Sequence, residues 1–291
     1  MTDVLAFGEI LWDVIDGVPH IGGAPFNFAA HVARFGIKSA VISAVGDDDL
    51  GRRAISEARR LGVDVSMVGI HPTLPTGTVN VTLKKGIPSY EIVQPVAWDE
   101  ITGEAAEPPR TLYFGTLAQR SPVSASTLQR LLDACSSSVV FFDVNLRQWY
   151  WSQETIDGCM DKVDILKVND EELKTLGYSA EALFARYPRL RIVIETRGKK
   201  GCAVYSRSEP FFESPAVSFG PAVDTVGAGD SFSAAFVASI LKGGSLREAA
   251  EAGNRLAGWV ASMRNSSRAA TGSLIRIFSR SGRLLALAPG Q

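Results

Sequence analysis

The run Asp224-Thr225-Val226-Gly227-Ala228-Gly229-Asp230-Ser231-Phe232 sets three small residues before an acid, at the apparent start of a helix. Small side chains let successive backbone N–H groups converge on one point, and a helix N-terminus adds partial positive charge there. Such a pocket suits an anion whose charge grows during a reaction. Asp230, in the first turn, could take a proton from a hydroxyl held beside it. An anion cradle next to a base is what phosphoryl transfer to an alcohol requires. The same letters also describe a tightly packed helix start with a stabilising first-turn acid.

A second polar group lies near the other end of the chain. Gly22-Gly23-Ala24-Pro25-Phe26-Asn27 is a glycine turn that runs into a helix. Asn27 offers a donor and an acceptor, Asp13 offers acceptors only, and together they could hold sugar hydroxyls. His31 lies four residues after Asn27 on the same helix face; it reads first as a structural histidine with its hydrogen bonds satisfied, and second as a group near the sugar. His20, His31 and His71 lack metal spacing. Asp143 reads as a carboxylate orienting Arg147, Trp149 and Trp151 could form a pocket rim or simply pack, and Lys84 and Lys85 look like exposed turn residues. No Gly-x-x-x-x-Gly-Lys-Ser/Thr run occurs, and no Gly-x-Gly-x-x-Gly follows the first strand. A phosphate-handling protein without either must cradle phosphate another way, and the Gly227 to Asp230 turn supplies one.

The elements that must position these residues follow a βαβ rhythm. Strands are expected at Val4 to Phe7, Val41 to Val45, Leu112 to Phe114, Val139 to Phe142, Ile165 to Val168, Ile192 to Glu195 and Ala203 to Tyr205. Their continuous apolar runs fit strands covered on both faces. Helices are expected at Pro25 to Phe35, Asp48 to Leu61, Pro122 to Cys135 with Ser121 as cap, Ser152 to Met160, Ser179 to Arg186, from Gly227 to about Leu241, and from about Leu246 to Met263. This is the pattern of a doubly wound sheet. Thr78 to Leu83 and Tyr90 to Val93 alternate about a Lys84-Lys85-Gly86 turn, a hairpin with one exposed face that could serve as a flap.

Composition closes off other classes. The 291 residues carry 30 Lys+Arg against 31 Asp+Glu, a formal charge of −1 that lacks the basic surplus of a nucleic-acid grip. With 46% hydrophobic and 21% charged residues the chain is globular, as one large α/β domain or two smaller ones. No apolar run approaches the ~18 residues of a membrane span. The opening residues hold Asp3, Glu9, Asp13 and Asp16 and no Lys or Arg, unlike a secretory signal. Cys135, Cys159 and Cys202 read as reduced, buried thiols, and a cytoplasmic location is expected.

Gly22-Gly23 with Asn27, then Val45-Gly46-Asp47-Asp48 with Gly51, then Asp224 to Asp230 resemble the paired signatures of the PfkB (ribokinase-like) carbohydrate kinases. Gly8 to Asp13 and Phe142-Asp143-Val144-Asn145-Leu146-Arg147 resemble the fructokinase branch, and Lys167 to Glu172 and Thr196 to Gly201 match further family stretches. The resemblance implies one domain over 1–291, a three-layer α/β/α sandwich with a mainly parallel sheet and a small β lid from about 10–22 and 75–97. It implies ATP and Mg²⁺ as cofactors and a small sugar, most directly fructose, as acceptor, with no nucleic acid or membrane partner. A homodimer formed through the lid is a family trait. By the resemblance Asp230 is the base, Gly227, Ala228 and Gly229 form the anion hole, and Arg147 sits near the transferring phosphate. Asp13, Gly22, Gly23 and Asn27 would bind the sugar. Thr196, Gly198 and Gly201 would line the nucleotide phosphates and ribose, Asn254 would lie near the adenine, and Gly227 and Gly229 would also meet the phosphate. Asn169 and Glu172 would place Mg²⁺ and phosphate through water.

The chain departs from the family after the penultimate helix, where members commonly build a monovalent-cation site. It reads Ser266-Ser267-Arg268-Ala269-Ala270-Thr271-Gly272-Ser273 there, which leaves K⁺ activation open. The stretch from Arg264 to Gln291 has five arginines and no acid, and reads as a partly ordered tail rather than a nucleic-acid arm. Two alternatives to a fructokinase stand: a kinase for another small sugar or nucleoside, and a non-catalytic sugar- or nucleotide-binding regulator. A sugar acid would want a dedicated arginine, and the stretch Asp13 to Asn27 supplies none.

Overall fold

The computed structural model describes residues 2–84 and 87–263, with only the backbone described at 81–84 and 87–89. The expectations for the Lys84-Lys85 turn side chains and for the tail lie outside the described residues. The chain begins with β1 (Val4–Phe7), β2 (Leu11–Ile15), β3 (Val18–Gly22), α1 (Ala24–Arg34), β4 (Ser39–Gly46) and α2 (Asp49–Arg60). It continues through β5 (Val63–Asp64), β6 (Val68–His71), β7 (Gly77–Lys84), β8 (Ile87–Ile92), β9 (Thr111–Phe114), α3 (Pro122–Ala134) and β10 (Val139–Asp143). The remainder is α4 (Gln153–Met160), β11 (Ile165–Asn169), α5 (Asp170–Leu176), α6 (Ala180–Arg186), β12 (Ile192–Thr196), β13 (Cys202–Ser206), β14 (Phe212–Ser214), α7 (Ala228–Leu241) and α8 (Leu246–Ala261).

Ten strands form one sheet in the order β14-β13-β12-β11-β10-β9-β1-β4-β5, with β6 also on β4. Every pairing from β12 to β5 and β6 is parallel, whereas β12-β13 and β13-β14 are antiparallel. This is the α/β sandwich expected, with a mostly parallel sheet. The continuous apolar runs are explained by two cores, one on each face. Leu5, Phe7, Leu112, Phe114, Val140 and Phe142 join a core with α3, α4 and α6 residues. Val4, Ala6, Tyr113 and Phe141 point the other way, into a core with α1, α2 and α7 residues. Alternate side chains of each strand thus meet opposite apolar layers, so neither face can be polar.

The second sheet has four strands in the order β3-β2-β7-β8. The β2-β3 and β7-β8 hairpins, far apart in sequence, are joined by parallel pairing of β2 and β7, with Asp13 opposite Val79. The flap read from residues 78–93 is therefore one half of a larger sheet. Helix ends fall within two residues of the expected ones, except that Ser121 makes no capping bond with its side chain. Pro122 in the first turn sets that helix start without it.

α7 begins at the carboxyl ends of the parallel strands, where an open α/β sheet leaves its crevice. It packs most extensively on α8 and on α1. The contact with α8 is close enough that a Cβ on Gly253 would fall 2.7 Å from the Phe232 ring. Gly253 therefore holds the helix that carries Asp230 against its neighbour.

Candidate active site

Asp230 lies in the first turn of α7 and is buried. Its Oδ2 accepts a 2.9 Å hydrogen bond from Asn27 Nδ2, so the two polar groups read separately in the sequence form one site. Asn27 occupies the first turns of α1, and the next residue, Phe28, stacks on Tyr113 at 3.7 Å between centroids. That stacking fixes α1 against β9. Gly227 stands at the N-cap with φ +76°, a left-handed conformation that favours glycine. A Cβ there would lie 3.9 Å from Asn27 Nδ2, so the turn faces the Asn27 crevice. The three amides expected to form an anion hole are not equivalent. The Ala228 N–H closes a turn on Thr225 O at 3.2 Å, while among the described residues no backbone partner engages the N–H of Gly227 or Gly229.

Burial pushes the Asp230 carboxyl up to about 6, with the Asn27 bond and the charges of Lys167 and Arg147 opposing and Asp143 reinforcing the shift. A base in that range is ionised at neutral pH yet basic enough to take a hydroxyl proton. Glu9, just after β1, is a second buried carboxyl, raised to about 7 by burial against bonds from backbone N–H groups. Its Oε1 accepts from Ala24 N at 3.1 Å, and its charge is felt alongside those of Asp230 and Arg147. Glu9 falls within the Gly8 to Asp13 stretch, where the sequence alone assigns it no role. An acid between apolar Phe7 and Ile10 next to a glycine was the available signal.

Asp143 does not orient Arg147. It ends β10 opposite Lys167 on β11, and its two oxygens each lie 2.8 Å from Lys167 Nζ. Its Oδ2 also accepts from Tyr113 Oη at 3.0 Å and Ser233 Oγ at 2.9 Å. All four residues are buried. Ladder register brings the acid to Lys167, whereas Arg147 lies beyond the strand end and is exposed. The charge of Arg147 nonetheless favours the ionised forms of both Glu9 and Asp230.

Asn169 and Glu172 form a capping box on α5: Asn169 Oδ1 accepts from Glu172 N at 2.7 Å, and Glu172 Oε2 from Asn169 N at 2.8 Å. Glu172 Oε1 accepts from Leu146 N at 2.8 Å, which anchors the loop carrying Arg147. Thr196 pairs in register with Asn169 at the ends of β12 and β11, and Gly198 follows in an exposed turn with φ +53°. Gly201 is buried, and a Cβ there would collide with Ser214 O at 2.1 Å. Asn254 is also buried, with Nδ2 donating to Ser214 O and Oγ at 3.0 Å each. Its amide ties α8 to β14, a structural task that linear spacing does not reveal.

Asp13, Gly22, Asn27 and Gly227 line one pocket, and His31 and Arg34 line it too. Asp13 lies alongside Gly22, whose Cβ position would be 2.7 Å from Asp13 Oδ2. Gly23 is bare for another reason: its Cβ would strike Glu9 O at 2.3 Å. His31 is not the satisfied histidine expected. It is buried, its Nδ1 has no hydrogen-bond partner among the described residues, and burial lowers it to about 3, so the ring is neutral. Arg34, two helical turns past Asn27, brings the arginine that the Asp13 to Asn27 stretch lacks. Trp149 projects into solvent. The three cysteines are free and buried, as expected. No described helix is long and apolar enough to cross a membrane.

The model of one protein family, the pfkB family carbohydrate kinases, matches residues 2–271. The chain belongs to the pfkB family of carbohydrate kinases. It is accordingly a phosphotransferase with an alcohol group as acceptor, and a sugar kinase. A sugar kinase of Pyrococcus horikoshii is 32% identical over 262 residues, covering 82% of this chain and 83% of its own. The crystal structure of that protein in complex with ATP has a TM-score of 0.77 at 28% identity, covering 90% of this chain and 93% of that one. A fructokinase of Arabidopsis thaliana is 28% identical over 278 residues, covering 84% of this carbohydrate kinase and 79% of its own length.

Proposed function

We propose that this carbohydrate kinase transfers the γ-phosphoryl group of ATP to a hydroxyl of a small sugar, fructose first, as a cytoplasmic enzyme. The observation that carries the reading is the Asn27–Asp230 hydrogen bond beside Gly227. It supports the reading because an amide able to meet sugar hydroxyls, a buried carboxylate and a glycine-capped helix N-terminus share one crevice. Asp13 and Asn27 orient the sugar, and the four-stranded sheet closes over it as a lid and excludes water. Asp230 takes the hydroxyl proton as the oxygen attacks phosphorus in line. The amides at Gly227 and Gly229, with Arg147 nearby, meet the charge on the transferring group. Thr196 and Gly198 face the nucleotide.

Magnesium fits this site only as a largely water-bound ion. Among the described residues no group of three or more His, Cys, Asp or Glu is placed to enclose a metal. Asn169 and Glu172 would hold it through water, and when bound it would neutralise phosphate charge.

One observation favours a second reading. Arg34 lines the pocket with Asn27, and a guanidinium there suits a sugar bearing a carboxylate. A coupled assay of ADP release with ATP and Mg²⁺ separates the two, run over fructose, ribose, a nucleoside and a keto-sugar acid. Fructose is expected to give the highest kcat/KM. Preference for the acid would favour the Arg34 reading, and no turnover with any acceptor would overturn both.

A further inference from the structure

Lys167 is a buried cation that the steps above do not use. It is 6% exposed, at the carboxyl end of β11, with both Asp143 oxygens 2.8 Å from its Nζ. It also sits under the first turn of α7: a Cβ on Gly229 would lie 3.3 Å from Lys167 Nζ. This position is unfavourable for the fold on two counts. Removing an ion pair from water costs several kcal/mol per ion, and a well-packed apolar pair in its place is often as stable. An ammonium at a helix N-terminus also faces the positive end of the helix dipole. A merely structural ion pair gains nothing there. A site that receives negative charge does, because fixed positive charge in a dry crevice needs no reorganisation when the reaction occurs.

We infer that Lys167, held by Asp143, adds its positive charge from beneath Gly229 to the anion cradle and is an electrostatic positioning residue of the phosphoryl transfer. The inference rests on the kinase reading above. Two N–H groups of the ammonium are engaged by Asp143, and a third is left for the cradle side. Ser233 Oγ donates to Asp143 and lies 3.2 Å from Gly229 O, so the same carboxylate fixes the height of the helix turn above the lysine. Tyr113 Oη, from β9, donates to the same Asp143 oxygen, Oδ2, at 3.0 Å. The remaining charged groups around Asp230 are Glu9, which follows β1, and Arg147, in the loop after β10. Lys167 favours the ionised Asp230 and Asp143 opposes it. The two partners thus act on the base in opposite directions, Asp143 the more strongly, while the pair still presents a cation to the phosphate.

The test is a double variant, Lys167→Met with Asp143→Asn, which removes both charges and avoids stranding a buried carboxylate. With folding verified by calorimetric melting, ATP and sugar Kd should stay within about threefold of wild type while kcat falls about 10²-fold. A folded double variant with kcat within about threefold of wild type overturns the inference. Lys167→Arg keeps the charge and must retain kcat within about fivefold. A loss in that variant as deep as in the double variant overturns the inference too, even if the double variant unfolds. If wild type turns over no sugar, the kinase reading fails and takes this role with it. If wild type is active and the double variant is equally so, only the role of Lys167 fails.

Discussion

Asn27 and Asp230, 203 positions apart in the chain, meet in a hydrogen bond of 2.9 Å from Nδ2 to Oδ2. In the proposed reaction the residue that orients the acceptor sugar also touches the group that deprotonates it, so one amide would serve both binding and chemistry.

Asp230→Asn keeps the shape and a partner for Asn27 but removes the proton acceptor. We expect kcat to fall by about 10³–10⁴-fold, with ATP Kd by titration calorimetry nearly unchanged. Near-normal turnover would remove Asp230 as the base.

The pH dependence follows from the same carboxyl. Asp230 must be ionised to act, and burial raises it to about 6. The kcat/KM profile of the free enzyme should therefore lose activity as pH falls through about 6. Asn27→Ala deletes a bond that favours the ionised form, so its acid limb should move to higher pH. A wild-type limb lying below pH ~5 would contradict the burial argument.

Glu9 makes a stability prediction. In the folded protein it holds its proton to about 7, against an ordinary value of 4.5. The folded state thus binds more protons than the unfolded one between those values, so stability falls as pH rises from about 4.5 to 7 and levels off above. Glu9→Gln carries no such group. Its stability relative to wild type should rise over that window by about 2–3 kcal/mol at most, read from denaturant unfolding at pH 5 and pH 8. A constant difference would show that Glu9 is not a buried acid.

Glu172 satisfies two backbone N–H groups, of Asn169 and Leu146. Glu172→Ala should cost about 2–4 kcal/mol of stability in urea unfolding, because each stranded group costs about 1–3. It should also lower kcat about tenfold or more by freeing the Arg147 loop, and Glu172→Gln should recover part of both losses.

The α/β rhythm was legible because each strand is apolar on both faces and each helix is punctuated by Gly, Pro or a capping residue. The helix start at Gly227 to Asp230 and the Asn27 turn were legible because small residues and an acid or a proline punctuate a helix N-terminus, while their meeting across 203 positions was not. The partners of Asp143 were not, since ladder register decides them: Lys167 is brought opposite by strand pairing, while Arg147 is merely nearer in sequence. Arg34 escaped, and so did the lack of a partner for His31 Nδ1 among the described residues, because helix α1 turns toward a pocket closed by Val226 and Val260, from the far end of the chain. The antiparallel β13 reads like the parallel strands before it, because direction leaves no mark on an apolar run, and the short Phe212–Ser214 strand β14 has no apolar run to show itself. The bonds from Asn254 to Ser214 were not legible either, since linear spacing does not reveal which strand meets α8.

Glu9 and Gly23 approach so closely that no side chain fits between them, and the Ala24 N–H closes the same gap onto Glu9. The β2–β3 hairpin from Leu11 to Gly22 is therefore pinched together at its neck, with its tip at the exposed Asp16-Gly17 turn. The neck fixes where the hairpin leaves the large sheet, and the pairing of β2 with β7 ties the whole four-stranded sheet to that point, so a shift at Glu9 or Gly23 would tilt the sheet as a unit.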